Sequence, residues 1–232
     1  MPGLTPPDKR LLLRRNYLFR GLTDREADAI LAYARLARYP AGAEIFAKGE
    51  PGDSMLAIAH GLVRISSTSA EGKQAVLNLI GEAEIFGEIA LLDGKERTAD
   101  ATAITACELL VVERRFFLPV LRSDPDLCIT LMTMLCGRLR RTSEQVEDML
   151  FRDVEARLAK ILLRLAREHG ESAPGMLRID VKLSQRELGD IAGATRESIN
   201  KHLQAWQRSG IISLDKGSIV IRDADALEHV GY

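Results

Sequence analysis

Residues 124–151 read DPDLCITLMTMLCGRLRRTSEQVEDMLF, and the spacing of their apolar side chains organises the rest of the chain. Cys128, Met132, Leu135, Leu139, Val146 and Met149, with Thr142 completing the row, recur at alternating intervals of four and three. That is the a/d seam of a two-stranded coiled coil, and about three heptads suffice to hold two helices together. Ser123-Asp124-Pro125 supplies the start, a capping residue followed by a proline that the first turn tolerates. The seam predicts a homodimer. Thr142 is the one polar position in it, and Ser143 follows. A polar residue there can fix the register of the two helices. Alternatively, a ligand sits against the seam and hydrogen-bonds both hydroxyls.

The bulk numbers narrow the classes. A chain of 232 residues fits one large or two small domains, and 46% hydrophobic with 28% charged residues is an ordinary globular mix. A formal net charge of −1 means that any nucleic-acid-binding patch must be local. Cys107, Cys128 and Cys136 have neither C-x-x-C spacing nor a neighbouring histidine, so they read as buried thiols in a reducing cytoplasm. Leu11-Leu12-Leu13 is too short for a signal peptide, and the longest apolar run, Cys128 to Cys136, is about half a membrane span. The expectation is a cytoplasmic protein with no membrane segment. No nucleophile–base pair or metal cluster is visible, so an enzyme is not expected.

Upstream of the seam, residues 1–10 read as frayed and Arg15 to Ala37 as helical, with Thr23-Asp24-Arg25-Glu26 as a capping box. From Leu36 to about Val112 the apolar runs become strand-length: Glu44–Ala47, Met55–Ala59, Leu62–Ser66, Gln74–Ile80, Ala101–Ala106 and Glu108–Glu113. Glycine turns separate them, which predicts a compact antiparallel barrel or roll. Inside it lies Phe86-Gly87-Glu88-Ile89-Ala90-Leu91-Leu92, followed by Arg97-Thr98-Ala99. Gly87 lets backbone approach a ligand closely. Glu88 can accept from a ribose hydroxyl. Ile89 to Leu92, with Ala90 inside it, is one helical turn whose free N–H groups suit an anion. Arg97 is a planar bidentate donor for phosphate, and Thr98 adds a hydroxyl. Together they make a cradle for a cyclic phosphate joined to a ribose; the plain alternative is a structural Glu88–Arg97 pair.

Downstream, Arg152-Asp153-Val154 reads as a hinge and Glu155 to Arg167 as an amphipathic helix. His169 to Gly175 reads as a loop. Ser184 opens a helix with a second capping box to Glu187, ending at Ala192-Gly193. Ala194-Thr195 caps a second helix, Arg196 to about Gln207, with Ile199, Leu203 and Trp206 buried at i, i+4 and i+7. That order is a helix-turn-helix whose second helix is the reader. Its first turn exposes Arg196, Glu197, Asn200 and Lys201. Arg can pair with guanine, Glu can accept from cytosine, and Lys can reach guanine or phosphate. Ser184, Gln185, Thr195 and Ser198 complete the set expected to face DNA. Ile211–Leu214 and Ile219–Ile221, joined through Asp215-Lys216-Gly217-Ser218, form the wing.

From Gly87-Glu88 through Arg97-Thr98-Ala99 the chain resembles the phosphate-binding cassette of cyclic-nucleotide-binding domains, and over about residues 15–222 it is similar to the Crp/Fnr superfamily, closest to its cAMP receptor proteins. The resemblance implies that Glu88 meets the ribose 2′-hydroxyl and that Arg97 and Thr98 meet the cyclic phosphate. It also implies that Thr142 and Ser143, within Arg138-Leu139-Arg140-Arg141-Thr142-Ser143-Glu144, contact adenine, one hydroxyl from each subunit. Threonine after the arginine is often linked to guanine recognition in related domains, so cGMP stays beside cAMP as the allosteric ligand. The cysteine cluster of the iron–sulfur branch is absent, and His60, the only histidine of the roll, reads as a surface turn residue. The 169–175 loop matches the segment that touches the RNA polymerase α subunit in activators; a plain solvated loop is the alternative. Arg196 and Glu197 match the family's R-E pair, and Lys201 stands where arginine is usual. A palindromic, TGTGA-like operator follows, less strict at the guanine read by Lys201, with half-sites about one helical turn apart.

The expected fold class is therefore α+β. An N-terminal antiparallel β-roll for the cyclic nucleotide, with flanking helices, spans 1–123; the coiled-coil dimerisation helix and hinge span 124–153; a winged helix-turn-helix spans 154–232. The expected function is a homodimeric regulator of double-stranded DNA. Its rivals are a Crp/Fnr-type regulator answering to another signal or to none, and a cyclic-nucleotide-sensing module that controls a partner enzyme.

Overall fold

Alternation of apolar side chains in the long buried strands explains the layering of the computed structural model, which describes residues 6–173, 176–179, 181–215 and 218–231. The chain opens with helix α1 (Pro6–Arg15) and helix α2 (Asp24–Leu31). Strands β1 (Arg35–Tyr39), β2 (Glu44–Phe46), β3 (Ser54–His60), β4 (Val63–Thr68), β5 (Gln74–Ile80) and β6 (Ile85–Phe86) follow, then the short helix α3 (Glu88–Asp93) and strands β7 (Asp100–Ala103) and β8 (Cys107–Glu113). Two antiparallel sheets result, ordered β1-β8-β3-β6 and β2-β7-β4-β5. Leu56, Ile58, Leu109 and Val111 point between the sheets and join Val63, Ile80, Phe86, Ala101 and Ala103 in the roll core. Their neighbours Met55, Ala57, Leu110 and Val112 point the other way, into a second core. There they meet Ala27 and Ile30 of α2, and Phe117 and Val120 of helix α4 (Arg114–Ser123). Strands apolar on both faces therefore read as continuous runs rather than alternation.

The N-terminal expectations need correction. Pro6 to Arg10, expected to fray, belong to α1, because prolines are tolerated in a first turn whose N–H groups have no intrahelical partner anyway; residues 1–5 lie outside the described residues. The single helix expected over 15–37 is a turn, α2 and then β1. Thr23 accepts from Glu26 N and Glu26 reaches back, so the capping box forms and marks a new start. Beyond α2, Arg35–Tyr39 pairs along β8, and this long-range ladder overrides local helix propensity. The helix α4 was not anticipated.

Helix α5 (Pro125–Phe151) runs close to the expected bounds. Asp124 Oδ1 accepts from the N–H groups of both Asp126 and Leu127 at 3.0 Å. One stripe of its first half, Leu127 and Leu131 with Met134 and Leu135 beside them, packs into the second core. Of the seam residues, Leu135 thus lies against that core, whereas Met132, Leu139, Val146 and Met149 are 52%, 68%, 51% and 54% exposed. The chain forms two compact units, Met1–Leu139 and Arg140–Tyr232, so α5 contributes to both.

In the second unit, Asp153 caps helix α6 (Val154–His169) by accepting from Ala156 N at 2.8 Å. Residues 170–173 form strand β9 (Gly170–Ala173), paired with strand β10 (Met176–Ile179), where a loop was expected. Pro174 and Gly175 lie outside the described residues. Helix α7 (Gln185–Ala192) and helix α8 (Arg196–Arg208) follow, then strands β11 (Ile212–Asp215) and β12 (Ser218–Ile221) and helix α9 (Ala224–Gly231). The sheet order is β11-β12-β10-β9, so the wing hairpin is extended by two strands. Its expected turn residues Lys216 and Gly217 also lie outside the described residues.

Candidate functional site

Gly87 ends β6 and caps α3 with φ +76°, a left-handed conformation that favours glycine. This turns its carbonyl toward Arg97, whose Nη1 donates to Gly87 O at 2.8 Å and to Ser54 O at 2.7 Å. Nη2 donates to Ser54 Oγ at 3.0 Å. The guanidinium carbon lies 4.3 Å from the Phe46 ring centroid, a cation–π contact. Arg97 N donates to Glu50 O and Gly49 N to Arg97 O, so the loop before β3 holds the arginine backbone. Gly52 is required there, since a Cβ would fall 2.1 Å from the Ala90 Cβ.

Arg97 is only 6% exposed, and burial pulls its guanidinium below its ordinary range against the opposing fields of Asp53, Glu50 and Glu88. Three of its five N–H groups are used. Its Nε is buried and donates to nothing among the described residues. Nε and the remaining hydrogen of Nη2 form the fork that matches two oxygens of a phosphate. A buried cation with an unused bidentate edge fits an anionic ligand.

Glu88 is 2% exposed, and its Oε1 lies 2.5 Å from Arg138 Nη1. Arg138, on α5, also donates to Ile85 O. The structural alternative raised for Glu88 and Arg97 thus takes another form: the carboxylate pairs with Arg138. Ala90 is buried, while Ile89 and Thr98 are exposed. Thr142 and Ser143 are exposed on the half of α5 that belongs to the second unit. The structure therefore brings Gly87, Glu88, Ala90 and Arg97 together. Sequence reasoning missed Ser54, Phe46 and Arg138. Ser54 lies 43 positions from Arg97 and carries no local signal; Arg138 opens the Arg138-to-Glu144 stretch quoted for the Thr142-Ser143 pair, and that was the signal available for it.

The thiols differ from expectation: Cys107 is buried, Cys128 half-buried and Cys136 exposed. Burial is the main reason that the Cys107 thiol is pushed up. Cys136 sits on an α5 face that a single chain leaves open. His60 ends β3 exposed, its Nδ1 2.6 Å from Glu82.

In the second unit, Ser184 caps α7 through a closed box with Glu187, and Gly193 ends it with φ +62°. A Cβ on Gly189 would fall 2.7 Å from Ala194 O, so this glycine permits the close turn between α7 and α8. Thr195 accepts from Ser198 N at 3.2 Å and starts α8. Ile199, Leu203 and Trp206 are buried as the spacing predicted. Arg196, Glu197 and Lys201 are exposed; Asn200 is half-buried and accepts from Gln185 at 3.4 Å. Among the described residues no cluster of metal-ligating side chains occurs, and no helix is long and apolar enough to cross a membrane.

A cyclic nucleotide-binding domain model matches residues 36–124 and a Crp-like helix-turn-helix domain model matches 156–230. The chain is 33% identical over 216 residues to a CRP-like cAMP-activated global transcriptional regulator of Mycobacterium tuberculosis, covering 93% of this chain and 96% of that protein. It belongs to the Crp/Fnr family. A cyclic AMP receptor protein of Thermus thermophilus is 34% identical over 215 residues, with 93% and 96% covered. The c-di-GMP-responsive global regulator CLP of Xanthomonas campestris shares the fold, with a TM-score of 0.74, 23% identity, and 86% of this chain and 99% of that one covered. As a Crp/Fnr member the chain is a DNA-binding transcription regulator with a cyclic-nucleotide-binding domain, not an enzyme, and regulators of this family act as dimers.

Proposed function

We propose that the chain is a homodimeric regulator controlled by a cyclic nucleotide, cAMP first and cGMP second. The observation that carries this is the buried Arg97 with its unused Nε–Nη2 edge beside Gly87. Arg97 and Thr98 would hold the cyclic phosphate and Glu88 the ribose, while Gly87, Ile89 and Ala90 shape the cradle. Glu88 is paired with Arg138 through Oε1. Thr142 and Ser143 would meet the purine at the seam of two α5 helices, and the exposure of Leu139 and Val146 beside them fits a helix that completes its packing on a second copy. The two named relatives support cAMP; Thr98 keeps cGMP open.

Occupancy of the roll would favour one packing of the seam and so orient α8 for successive major grooves. Coupling of ligand to DNA is then reciprocal, typically about 1–3 kcal/mol. Arg196, Glu197 and Lys201 would read a palindromic, TGTGA-like operator, with Asn200, Ser184, Gln185, Thr195 and Ser198 supporting phosphate and base contacts. RNA polymerase is the partner expected at a promoter, and residues 1–123, 124–153 and 154–232 are the working division into roll, dimer helix with hinge, and reader.

Calorimetry with cAMP and cGMP, followed by operator titration with each at saturation, tests the reading. Binding of one nucleotide with stronger DNA affinity supports it. Arg97→Leu with unchanged DNA binding and no nucleotide effect on the parent would instead indicate a regulator answering to another signal.

A further inference from the structure

We propose that Glu155 is a positioning residue for the reading helix, gripping it through His202 and Trp206, and that the histidine makes this grip depend on pH. The inference rests on the assignment of α8 as the helix that reads DNA. Glu155 stands in the first turn of α6, where the helix dipole favours a carboxylate. One of its oxygens, Oε1, accepts from the Trp206 indole Nε1 at 3.1 Å. The other, Oε2, lies 3.7 Å from His202 Nδ1. His202 and Trp206 are four residues apart and so lie on the same face of α8. Their ring centroids are 6.3 Å apart. One carboxylate thus accepts the indole hydrogen bond on one oxygen and faces the imidazole with the other, and these two contacts on successive turns set both the roll and the height of α8 against α6.

Trp206 is 3% exposed, and a buried indole N–H left without its acceptor is costly. His202 is half-buried, and protonation turns its contact with Glu155 into an ion pair. From α6 the facing charge is Glu155. The α8 neighbours one turn from His202 are Ser198, Ile199, Ala205 and Trp206, all uncharged. Helix α7 carries Arg186, Glu187 and Asp190, with Glu187 engaged in the Ser184 cap, and β11 carries only the exposed Asp215. Among the described residues no other carboxylate lies within 4 Å of a His202 ring nitrogen. Lowering the pH should therefore tighten the clamp.

The chain has a single tryptophan, Trp206, and four tyrosines, so emission excited selectively at the indole reports on this spot alone. The test uses the full chain with three variants: Glu155→Ala, Glu155→Gln and His202→Gln. Without DNA, Glu155→Ala should red-shift the emission. Glu155→Gln, whose amide oxygen still accepts from the indole, should keep the parent maximum. Quenching of the emission on acidification from about pH 8 to about pH 6, the range in which histidine titrates, should vanish in His202→Gln. With a fluorescent operator duplex at fixed salt, Glu155→Ala should bind about tenfold more weakly, as expected for loss of a hydrogen bond to a charged group. Glu155→Gln and His202→Gln should match the parent at about pH 8 and lose the strengthening that it gains near pH 6. Nucleotide affinity should be unchanged in all three.

Parent emission and parent DNA affinity in Glu155→Ala would overturn the proposal. So would a parent-like pH profile of DNA binding in His202→Gln. If Glu155→Ala does not fold, the other two variants still decide. A parent chain that binds no duplex would remove the DNA reading of α8, and the emission arm would then judge the clamp alone.

Discussion

Replacing Gly87 by alanine adds one methyl at the point where the roll holds Arg97. Two costs follow, and they can be separated. The first is conformational: with φ +76° an L residue sits in the left-handed region, at about 1–2 kcal/mol. The second is spatial: the new Cβ would fall 2.6 Å from Arg97 Nη1 and 3.4 Å from Ser54 O. An ordinary contact needs about 3.5 Å, so the guanidinium must move by about 0.9 Å. That exceeds the roughly 0.5 Å within which a binding group keeps its geometry. Gly72→Ala is the control, because Gly72 has φ +77° and nothing within 4 Å of a Cβ. Both variants should lose about 1–2 kcal/mol of stability in urea from the left-handed φ, Gly87→Ala losing more through its clash, with about 2–4 °C in melting temperature per kcal/mol. Only Gly87→Ala should weaken cAMP or cGMP in calorimetry, by tenfold or more, about 1.4 kcal/mol. Parent affinity in Gly87→Ala would refute the placement of the ligand on the Arg97 fork. Equal loss in Gly72→Ala would show that general destabilisation, not the site, is responsible.

Arg97→Lys keeps the charge but cannot present two parallel donors, so nucleotide affinity should fall about 10- to 100-fold, read by calorimetry. Leu139→Glu places a carboxylate on the exposed seam and should convert a dimer to monomers in analytical ultracentrifugation, with the roll still binding nucleotide weakly. Glu197→Gln should relax preference at the cytosine it is expected to read by about 1–3 kcal/mol, measured by binding to a panel of single-base operator variants. Thiol labelling should reach Cys136 quickly in the monomeric variant and Cys107 only on unfolding, because Cys107 is buried and its thiol is held protonated.

What could be read from the order of residues follows from how local the causes are. The extent of α5, both capping boxes and the buried Ile199, Leu203 and Trp206 stripe of α8 are set by neighbours within one or two turns, and they formed as expected. Strand β1 and strand β10 were missed because each is held by a partner far along the chain, β8 and β12 respectively. The same division holds in the site. Gly87, Glu88 and Arg97 lie within one short segment whose residue types declare an anion cradle. Ser54, Phe46 and Arg138, which hold the two charges, arrive from three other elements. The inner stripe of α5, Leu127 and Leu131, was hidden because the heptad beside it accounts for the apolar content of the helix just as well.

The two buried charges of the cradle are treated differently by the fold, and under the proposed function that difference would make the site selective for anions. Glu88 has a full counter-charge in Arg138 at 2.5 Å, so little is gained by adding a cation beside it. Arg97 has no carboxylate within ion-pair distance among the described residues; its contacts are two carbonyls, one hydroxyl and the face of Phe46. Dipoles offset only part of the cost of taking a guanidinium out of water, which is why burial outweighs the distant fields of Asp53, Glu50 and Glu88. An anion on the Nε–Nη2 edge would supply what the dipoles do not, at a place where the local dielectric makes each charge-assisted bond count for more. A neutral ribonucleoside would leave that deficit in place. Adenosine should therefore bind far more weakly than cAMP although both carry the same base and a ribose. Equal affinity of the two would mean that the arginine is a structural strut of the roll rather than the group that recognises phosphate.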